Sequence, residues 1–581
     1  MSAPGPGASV PAPLPAGDEG KLDAVRRSPQ GADGAGRGLA AARRAAALQR
    51  LRAAASWDLV VVGGGATGLS VALEAAARGW SVALLEAEDY AKGTSSRATK
   101  LLHGGVRYLA QGDVGLVREA LRERAALLAN APHLAQPLAF VVPGYRLWEL
   151  PFYGAGLKAY EWLAGQRSLG PTQALSARAT QQALPTVLQQ GLLGGIRYWD
   201  GQFDDARLAV ALARTAAAHG AVVLNHLRVT GLRQEGARVC GVQVRDAETG
   251  EAFDLAAGCV VNATGVWVDG LRREANARVP GGAEAALVTP SQGVHLVVDR
   301  AFLPGSTALM VPKTADGRVL FAVPWLGKTL LGTTDTPRSD IVAEPRPFAH
   351  EVDFILREAG RYLSRAPRRA DVRSAWVGLR PLVRPPASAA GPGVADDAGV
   401  PAAATRSLSR EHTVEVGASG LVTVTGGKWT TYRAMAEDVL AACMAQGLLP
   451  QRPAGVTEHL PLVGAAPGRA LCAPPGEHLY GSEAPALRAL PGADRWLAWD
   501  AESGQGLLSE AMVRFAARFE MARRVEDVLA RRSRLLFLDA HQAAACADEV
   551  AKILLEERGH ASSPQDLDAF KALAAQYAAV P

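Results

Sequence analysis

Asp58-Leu59-Val60-Val61-Val62-Gly63-Gly64-Gly65-Ala66-Thr67-Gly68 is the stretch from which the fold is read. Its first half is a short β-branched apolar run, the pattern of a buried strand. The glycines follow at once, and beyond them Leu69, Ala72, Leu73 and Ala76 recur at helical spacing. Gly79 closes that helix, and Ser81 to Leu85 reads as a second strand ending at Glu86. Strand, glycine turn, helix, strand and acid within about thirty residues make a GxGxxG match informative. Gly63, Gly65 and Gly68 hold its three positions. The first permits the tight turn, the second lets backbone approach a pyrophosphate, and the third lets helix and strand pack closely. Ala66 and Thr67 open the helix, whose free N–H groups favour phosphate. Glu86 is placed to accept hydrogen bonds from a ribose hydroxyl. The unit predicts a dinucleotide site and does not choose between NAD and FAD.

Outward from it, residues 221–261 alternate short apolar strands with turns, as in Val239–Val244 and Cys259–Val261. The second run continues through Asn262-Ala263-Thr264-Gly265 into an apparent helix. Leu421 to Thr425, followed by Gly426-Gly427-Lys428, is a third strand–glycine–helix junction. Between these lie β-type runs at Gly293–Val298, Val319–Val323 and Thr329–Gly332, read as an antiparallel substrate sheet inserted between segments of one dinucleotide domain. The expected fold is α/β. A Rossmann-like domain with the interleaved substrate domain spans 57–450, the substrate part lying mainly in 135–200 and 280–410. A Pro-rich linker (451–475) and a helical C-terminal domain (476–581) follow, and residues 1–50 form an extension.

Composition bounds the function. Of 581 residues, 48% are hydrophobic and 20% charged, as in a folded protein with a large core. The 62 basic and 57 acidic residues leave a net charge of only +5, which argues against nucleic acid as a partner. The five cysteines are scattered without a CxxC pair and predict neither a disulfide frame nor a metal site. No apolar run is long enough for a transmembrane helix, and the N-terminus has no signal-peptide pattern. Residues 1–36 have the composition of a disordered segment. Residues 37–55, with five arginines, read as a solvated basic helix in preference to a membrane anchor.

The choice of cofactor turns on Thr94-Ser95-Ser96-Arg97-Ala98-Thr99-Lys100-Leu101-Leu102-His103-Gly104-Gly105-Val106-Arg107-Tyr108. Hydroxyls, glycines and basic groups in such density suit an extended loop along a long cofactor. From Gly93 to Leu121 the sequence resembles the flavin-binding signature of FAD-dependent glycerol-3-phosphate dehydrogenases, the respiratory, quinone-linked family. Further runs agree in order: Asp204 to Arg207, Val261 to Trp267, Gly332 to Thr336, Gly378 to Leu382, Ser409 to His412, Gly426 to Arg433 and Val525 to Arg532. The likeness covers roughly residues 57–540. Ala98 and Thr99 stand where serines are common, so one hydroxyl near the cofactor is expected to be missing. The Ala/Pro-rich loop 386–406 is longer than usual.

The resemblance implies a glycine/D-amino-acid-oxidase-like fold, non-covalent FAD, and oxidation of glycerol 3-phosphate to dihydroxyacetone phosphate. It also implies a cofactor set. To the residues of the first unit it adds Thr94, Ser95, Ser96, Thr99, Lys100, Leu101, His103, Gly104 and Gly105. From further along come Val229, Ala263, Thr264, Gly265, Trp267, Gly427, Lys428, Trp429 and Thr430. A phosphate-bearing substrate needs cations, preferably arginine, whose planar fork matches phosphate oxygens. Arg380, read as part of a turn Gly378-Leu379-Arg380-Pro381, is the first candidate, and by resemblance Arg107 and Tyr108 join it. Lys428, at a helix start, would stabilise negative charge on the reduced cofactor or reach the substrate. A histidine suits the proton transfer at neutral pH, and His295 is the candidate, with His103 serving the cofactor instead.

No second nucleotide site is evident, so the electrons are expected to pass to a membrane quinone. The enzyme would then attach peripherally to the inner face of the cytoplasmic membrane, and a homodimer is among the expected assemblies. Leu147 to Gly165, rich in Trp, Phe and Tyr, reads first as a core helix and second as an interfacial one. The arginines of 514–534 read as a solvated face or as contacts to anionic lipid. The competing readings are an oxidase using the same site and an amine or amino-acid oxidase.

Overall fold

Val60 and Val61 are wholly buried because the strand they form is covered on both faces, Val61 packing in the cluster of Leu69, Ala72 and Leu73 and Val60 in that of Val239, Val242 and Val244. The computed structural model describes residues 38–105, 113–280, 285–384, 411–453, 455–559 and 564–581. The chain begins with helix α1 (Leu39–Ala53) and then the unit β1 (Trp57–Val62), α2 (Ala66–Ala77) and β2 (Val82–Leu85). After a 3-10 turn at Thr94–Ser96 come β3 (Leu101–Leu102), α3 (Val114–Asn130), β4 (Ala135–Gly144) and α4 (Glu149–Ala164). Strands β5 (Gln173–Ser176) and β6 (Gly194–Phe203) lead to α5 (Asp205–Ala218), where the Asp204 side chain accepts from Arg207 N as the N-cap. Strands β7 (Val222–Leu224), β8 (Leu227–Glu235), β9 (Arg238–Asp246) and β10 (Ala252–Asn262) follow.

The next six strands are β11 (Val288–Asp299), β12 (Thr307–Val311), β13 (Leu320–Trp325), β14 (Lys328–Gly332), β15 (Thr336–Pro337) and β16 (Val372–Val383). The chain then returns to the first sheet with β17 (His412–Val416), β18 (Leu421–Gly426) and helix α6 (Tyr432–Ala445). The C-terminal part holds a hairpin, β19 (Trp496–Trp499) and β20 (Gly506–Ser509), and helices α7 (Glu510–Phe519), α8 (Ala540–Arg558) and α9 (Pro564–Ala578).

Two sheets result. The first runs β17-β18-β10-β1-β2-β7, parallel except for β17, with β8 and β9 extending from β10. Helix α2 lies against α5 and α6, its alanines Ala72, Ala75 and Ala76 allowing close packing. The second sheet runs β15-β11-β14-β13-β12-β4-β6-β3, with β16 on β11 and β5 on β6. It is antiparallel apart from the pair β12–β4. The strands of this sheet come from 101–203 and 288–383, so the chain crosses between the sheets several times, and the site lies where they meet.

Two basic segments are docked more closely than their sequence reading implies. Helix α1 precedes the first strand and is exposed along much of its length as expected, but it is not free of the body: Arg44 is buried against Asp246 and Glu248, and Arg43 donates to Arg518 O at 3.1 Å. The arginines of 514–534 are no solvated or lipid-facing surface. A π-helical turn, Asp527–Arg532, carries Arg531 and Arg532 inward, where both clamp the buried Asp89 at 2.5 and 2.7 Å. Arg207 pairs with Glu520, Arg523 with Glu248, and Lys92 with Glu526. Buried ions need partners in geometry that satisfies them, and here each partner sits across the boundary with the C-terminal domain.

Candidate active site

The glycines of the first turn are dictated by what surrounds them. Gly63 has φ +110°, and a Cβ there would lie 2.6 Å from Ala263 O. A Cβ on Gly68 would collide with the Gly63 carbonyl oxygen. The turn therefore brings three chain segments together at the C-terminal ends of β1 and β10. Glu86, at the end of β2, accepts from Gly64 N at 2.6 Å and from Glu88 N at 2.8 Å, while burial raises its carboxyl pKa. Ser95 Oγ accepts from Ala66 N at 2.9 Å, at the start of α2.

A cavity of about 690 Å³ opens over this turn and continues to the second sheet. Gly63, Gly65, Ala66, Thr67 and Glu86 line it at one end, with Val229 beside them. Ala263, Thr264, Gly265 and the half-exposed Trp267 form one wall. Thr94, Ser95, Thr99, Leu101 and His103 form another, and Gly427, Lys428, Trp429 and Thr430 a third. His295 and Arg380 face it from the substrate sheet. The glycine cradle, the acid at the end of β2 and the helix N-terminus fit a dinucleotide, and the cavity is of ligand-binding size.

Five expected cofactor residues do not line the cavity. Gly68 acts through packing on Gly63. Ser96 is buried behind the loop, and its carbonyl accepts from Lys100 Nζ and Arg534. Lys100 points away into the core, onto Asp205 at 2.6 Å. Gly104 N donates to Tyr160 OH at 2.8 Å, and a side chain at Gly104 would strike Leu121. Gly105 has φ +81°, which favours glycine. Arg107 and Tyr108 lie outside the described residues, as do Ser409, Arg410 and the loop 386–406.

The described part of the fifteen-residue loop, Thr94 to Gly105, holds regular structure that its composition does not predict. The 3-10 turn Thr94–Ser96 and strand β3 interrupt it, and Arg97 docks it on β16 through Val377 O at 3.3 Å and on Glu344 at 2.7 Å. Trp429 Nε1 donates to Ser95 O at 2.9 Å. Arg380 sits within strand β16, opposite Ser291 of β11, and not in a turn. The run Gly378-Leu379-Arg380-Pro381 has turn composition, but full pairing with β11 overrides it. Arg380 donates to Thr333 Oγ1 at 3.1 Å and lies 3.5 Å from Asp335 Oδ1.

His295 is buried beside the cavity. Its Nε2 lies 3.0 Å from Thr99 Oγ1. Nδ1 is buried with no hydrogen-bond partner among the described residues. Burial first, then the charges of Lys100 and Arg380, hold the imidazole pKa well below its usual value. The ring is thus neutral at physiological pH, with one nitrogen able to accept a proton. Sequence reading missed Asp335, Trp376 and Arg534. Asp335 was inside a quoted motif, but nothing marked it as a neighbour of Arg380.

The described residues contain no cluster of three or more metal-ligating side chains, and no helix long and apolar enough to cross a membrane. Cys259 and Cys443, distant in sequence, meet with sulfurs 3.7 Å apart as free thiols.

Comparison with known proteins places these features in a family. The family described as FAD dependent oxidoreductase matches residues 58–433, and the C-terminal domain of alpha-glycerophosphate oxidase matches 477–564. A probable mitochondrial glycerol-3-phosphate dehydrogenase of Caenorhabditis elegans is 40% identical over 548 residues, 89% of this chain and 73% of that protein. The mitochondrial glycerol-3-phosphate dehydrogenase of Macaca fascicularis is 43% identical over 416 residues, 69% of this chain. Those residues cover 54% of the macaque protein, so the match spans about half of that relative's length. The crystal structure of a glycerol-3-phosphate dehydrogenase from Bacillus halodurans complexed with FAD is 28% identical, with a TM-score of 0.70 over 93% of this chain and 99% of that one.

Proposed function

The chain belongs to the FAD-dependent glycerol-3-phosphate dehydrogenases, and on that premise we propose that it oxidises sn-glycerol 3-phosphate to dihydroxyacetone phosphate and delivers the electrons to a membrane quinone. The observation that carries the reading is the convergence of His295, Arg380 and Lys428 on the cavity that begins at the glycine turn. FAD, when bound, supplies the hydride acceptor. The chain supplies the rest. Arg380, steadied by Thr333 and Asp335, binds the substrate phosphate, with Arg107 and Tyr108 as its expected companions. His295 takes the hydroxyl proton as the carbonyl forms at the carbon that loses its hydrogen and electron pair. Lys428, at the turn before α6, offsets the negative charge that then accumulates nearby.

We place the attachment peripherally at the inner face of the cytoplasmic membrane, and α4 supports contact with a membrane surface. Only Leu157, Tyr160 and Ala164 of this helix are buried, while Phe152 and Trp162 are 66% and 77% exposed. Trp148, just before the helix, is also half-exposed and packs edge-on against Phe152, ring centroids 5.9 Å apart. Aromatic side chains of this kind favour the boundary between lipid and water.

The test is anaerobic addition of glycerol 3-phosphate to the FAD-loaded protein. Bleaching of the visible flavin band is the expected result, followed by recovery with a quinone analogue faster than with air. Recovery led by air would make the protein an oxidase. Persistent absorption would refute the substrate assignment.

A further inference from the structure

Beneath His295 lies a buried charge that does not line the cavity. The imidazole stacks on Trp376 of β16, ring centroids 4.3 Å apart and planes at 21°. The Lys100 ammonium stands 4.7 Å from the centre of the same Trp376 ring, among Trp325 and Phe537. Lys100 is fully buried, and its Nζ donates to Asp205 Oδ2 at 2.6 Å and to Ser96 O at 2.7 Å. Its backbone adopts φ +65°, a conformation a lysine takes only when its surroundings impose it. Thr99, the preceding residue, makes the contact to His295. One dipeptide thus fixes the edge of the imidazole and sets a cation behind its stacking partner. Arg534, from the C-terminal domain, completes the support by donating to Asp205 Oδ1 at 3.1 Å and to Ser96 O at 2.9 Å.

We propose that Lys100 is a positioning residue for the oxidation: its ammonium, held by Asp205 beneath Trp376, keeps His295 neutral and so able to accept the substrate's hydroxyl proton. This rests on the reading of His295 as the base. Burial does most to oppose protonation of the ring, and the charged groups that add to it are Lys100 from the cofactor loop and Arg380 from β16, both cations. Behind Lys100 stand Asp205 and Asp204 at the start of α5, and Arg534. Burial pushes the Lys100 pKa down to about 7 against the pull of Asp205. Lys100 is therefore charged in the acid range where His295 would otherwise take up a proton. Removing that charge raises the imidazole pKa, so activity that needs the neutral ring is lost at a higher pH on the acid side.

The experiment is the pH profile of kcat/KM for the FAD-loaded Lys100→Gln variant, whose amide can still donate to Asp205. The acid limb is expected to move up by about one pH unit with FAD content unchanged, and Lys100→Arg is expected to hold it at the wild-type position. A limb that coincides with wild type in folded Lys100→Gln overturns the proposal. Should that variant fail to fold, the labelled His295 ring is titrated by NMR in the wild-type holoenzyme. A second inflection near pH 7, from loss of the Lys100 charge, supports the proposal, and its absence overturns it. His295→Asn separates the two readings. Wild-type turnover in that variant removes the base assignment itself, whereas a slow His295→Asn with an unmoved Lys100→Gln limb removes only the role of Lys100.

Discussion

Arg380 shows what a single residue can and cannot announce. Its chemistry, a planar cation suited to phosphate, was legible, but its place in the middle of a strand was not. Gly378 and Pro381 carry a turn's composition, and only the pairing of β16 with β11 decides otherwise. The glycines behave in the opposite way. Gly63 and Gly68 could be assigned from sequence because no side chain fits where backbone meets backbone. Lys100 was expected along the cofactor because a lysine in a polar loop gives no sign of being wholly buried. For Arg380→Ala we expect retained FAD and a Michaelis constant raised roughly 10- to 100-fold, the loss of a charged hydrogen-bonding group. Steady-state kinetics with glycerol 3-phosphate checks this, and an unchanged Michaelis constant would remove Arg380 from the phosphate site.

Among elements, the strand–turn–helix unit was readable because local rules and tertiary packing agree there. Helix α4 was not. Its residues are apolar on most faces, so periodicity could not say which face finds a neighbour, and the reading preferred a core helix. In the fold it lies on the surface, with Tyr160 turned inward onto Asp200 and Gly104. The exposed aromatics are then the face a lipid surface would meet. Phe152→Glu with Trp162→Glu is expected to cut sedimentation with anionic lipid vesicles at least tenfold, while turnover with a soluble acceptor stays within about twofold. Equal binding of the double variant and the parent would exclude α4 as the attachment face.

At the scale of the whole molecule, the sequence gives the order of the parts but not how they are joined. The arginines of 514–534 have the composition of a solvated surface, and for Arg523, Arg531, Arg532 and Arg534 partners hundreds of residues away make them internal. Asp89 and Arg532 illustrate this: the ion pair is buried on both sides, and the acid stands just beyond β2. Arg532→Ala leaves Asp89 with less than its full compensation, and we expect a loss of about 3–5 kcal/mol in denaturant unfolding. A loss under about 1 kcal/mol would show the joint to be dispensable. The same joint sets an acid limit. Glu526 is brought down to about 2 by Lys92 and Arg531, acting against burial. Its ordinary value is about 4.3. A depressed carboxyl pKa gives stability that is complete above the ordinary value and is lost as pH falls toward the depressed one. Thermal unfolding should therefore be steady near neutrality and fall steeply between about pH 4 and pH 2, more gently in Glu526→Gln.

That joint also bears on how the protein is made. Asp89 and Arg532 are 443 positions apart. At the usual pace of about 5–20 residues per second, a ribosome needs roughly 20–90 s to travel between them. Strand β10 likewise waits for β18, which leaves the translation machinery long after the glycine turn. During that interval the nascent chain carries an unfinished sheet edge and a buried-to-be acid still in water. Until the last arginines are made, that acid has none of the cations that will later hold it.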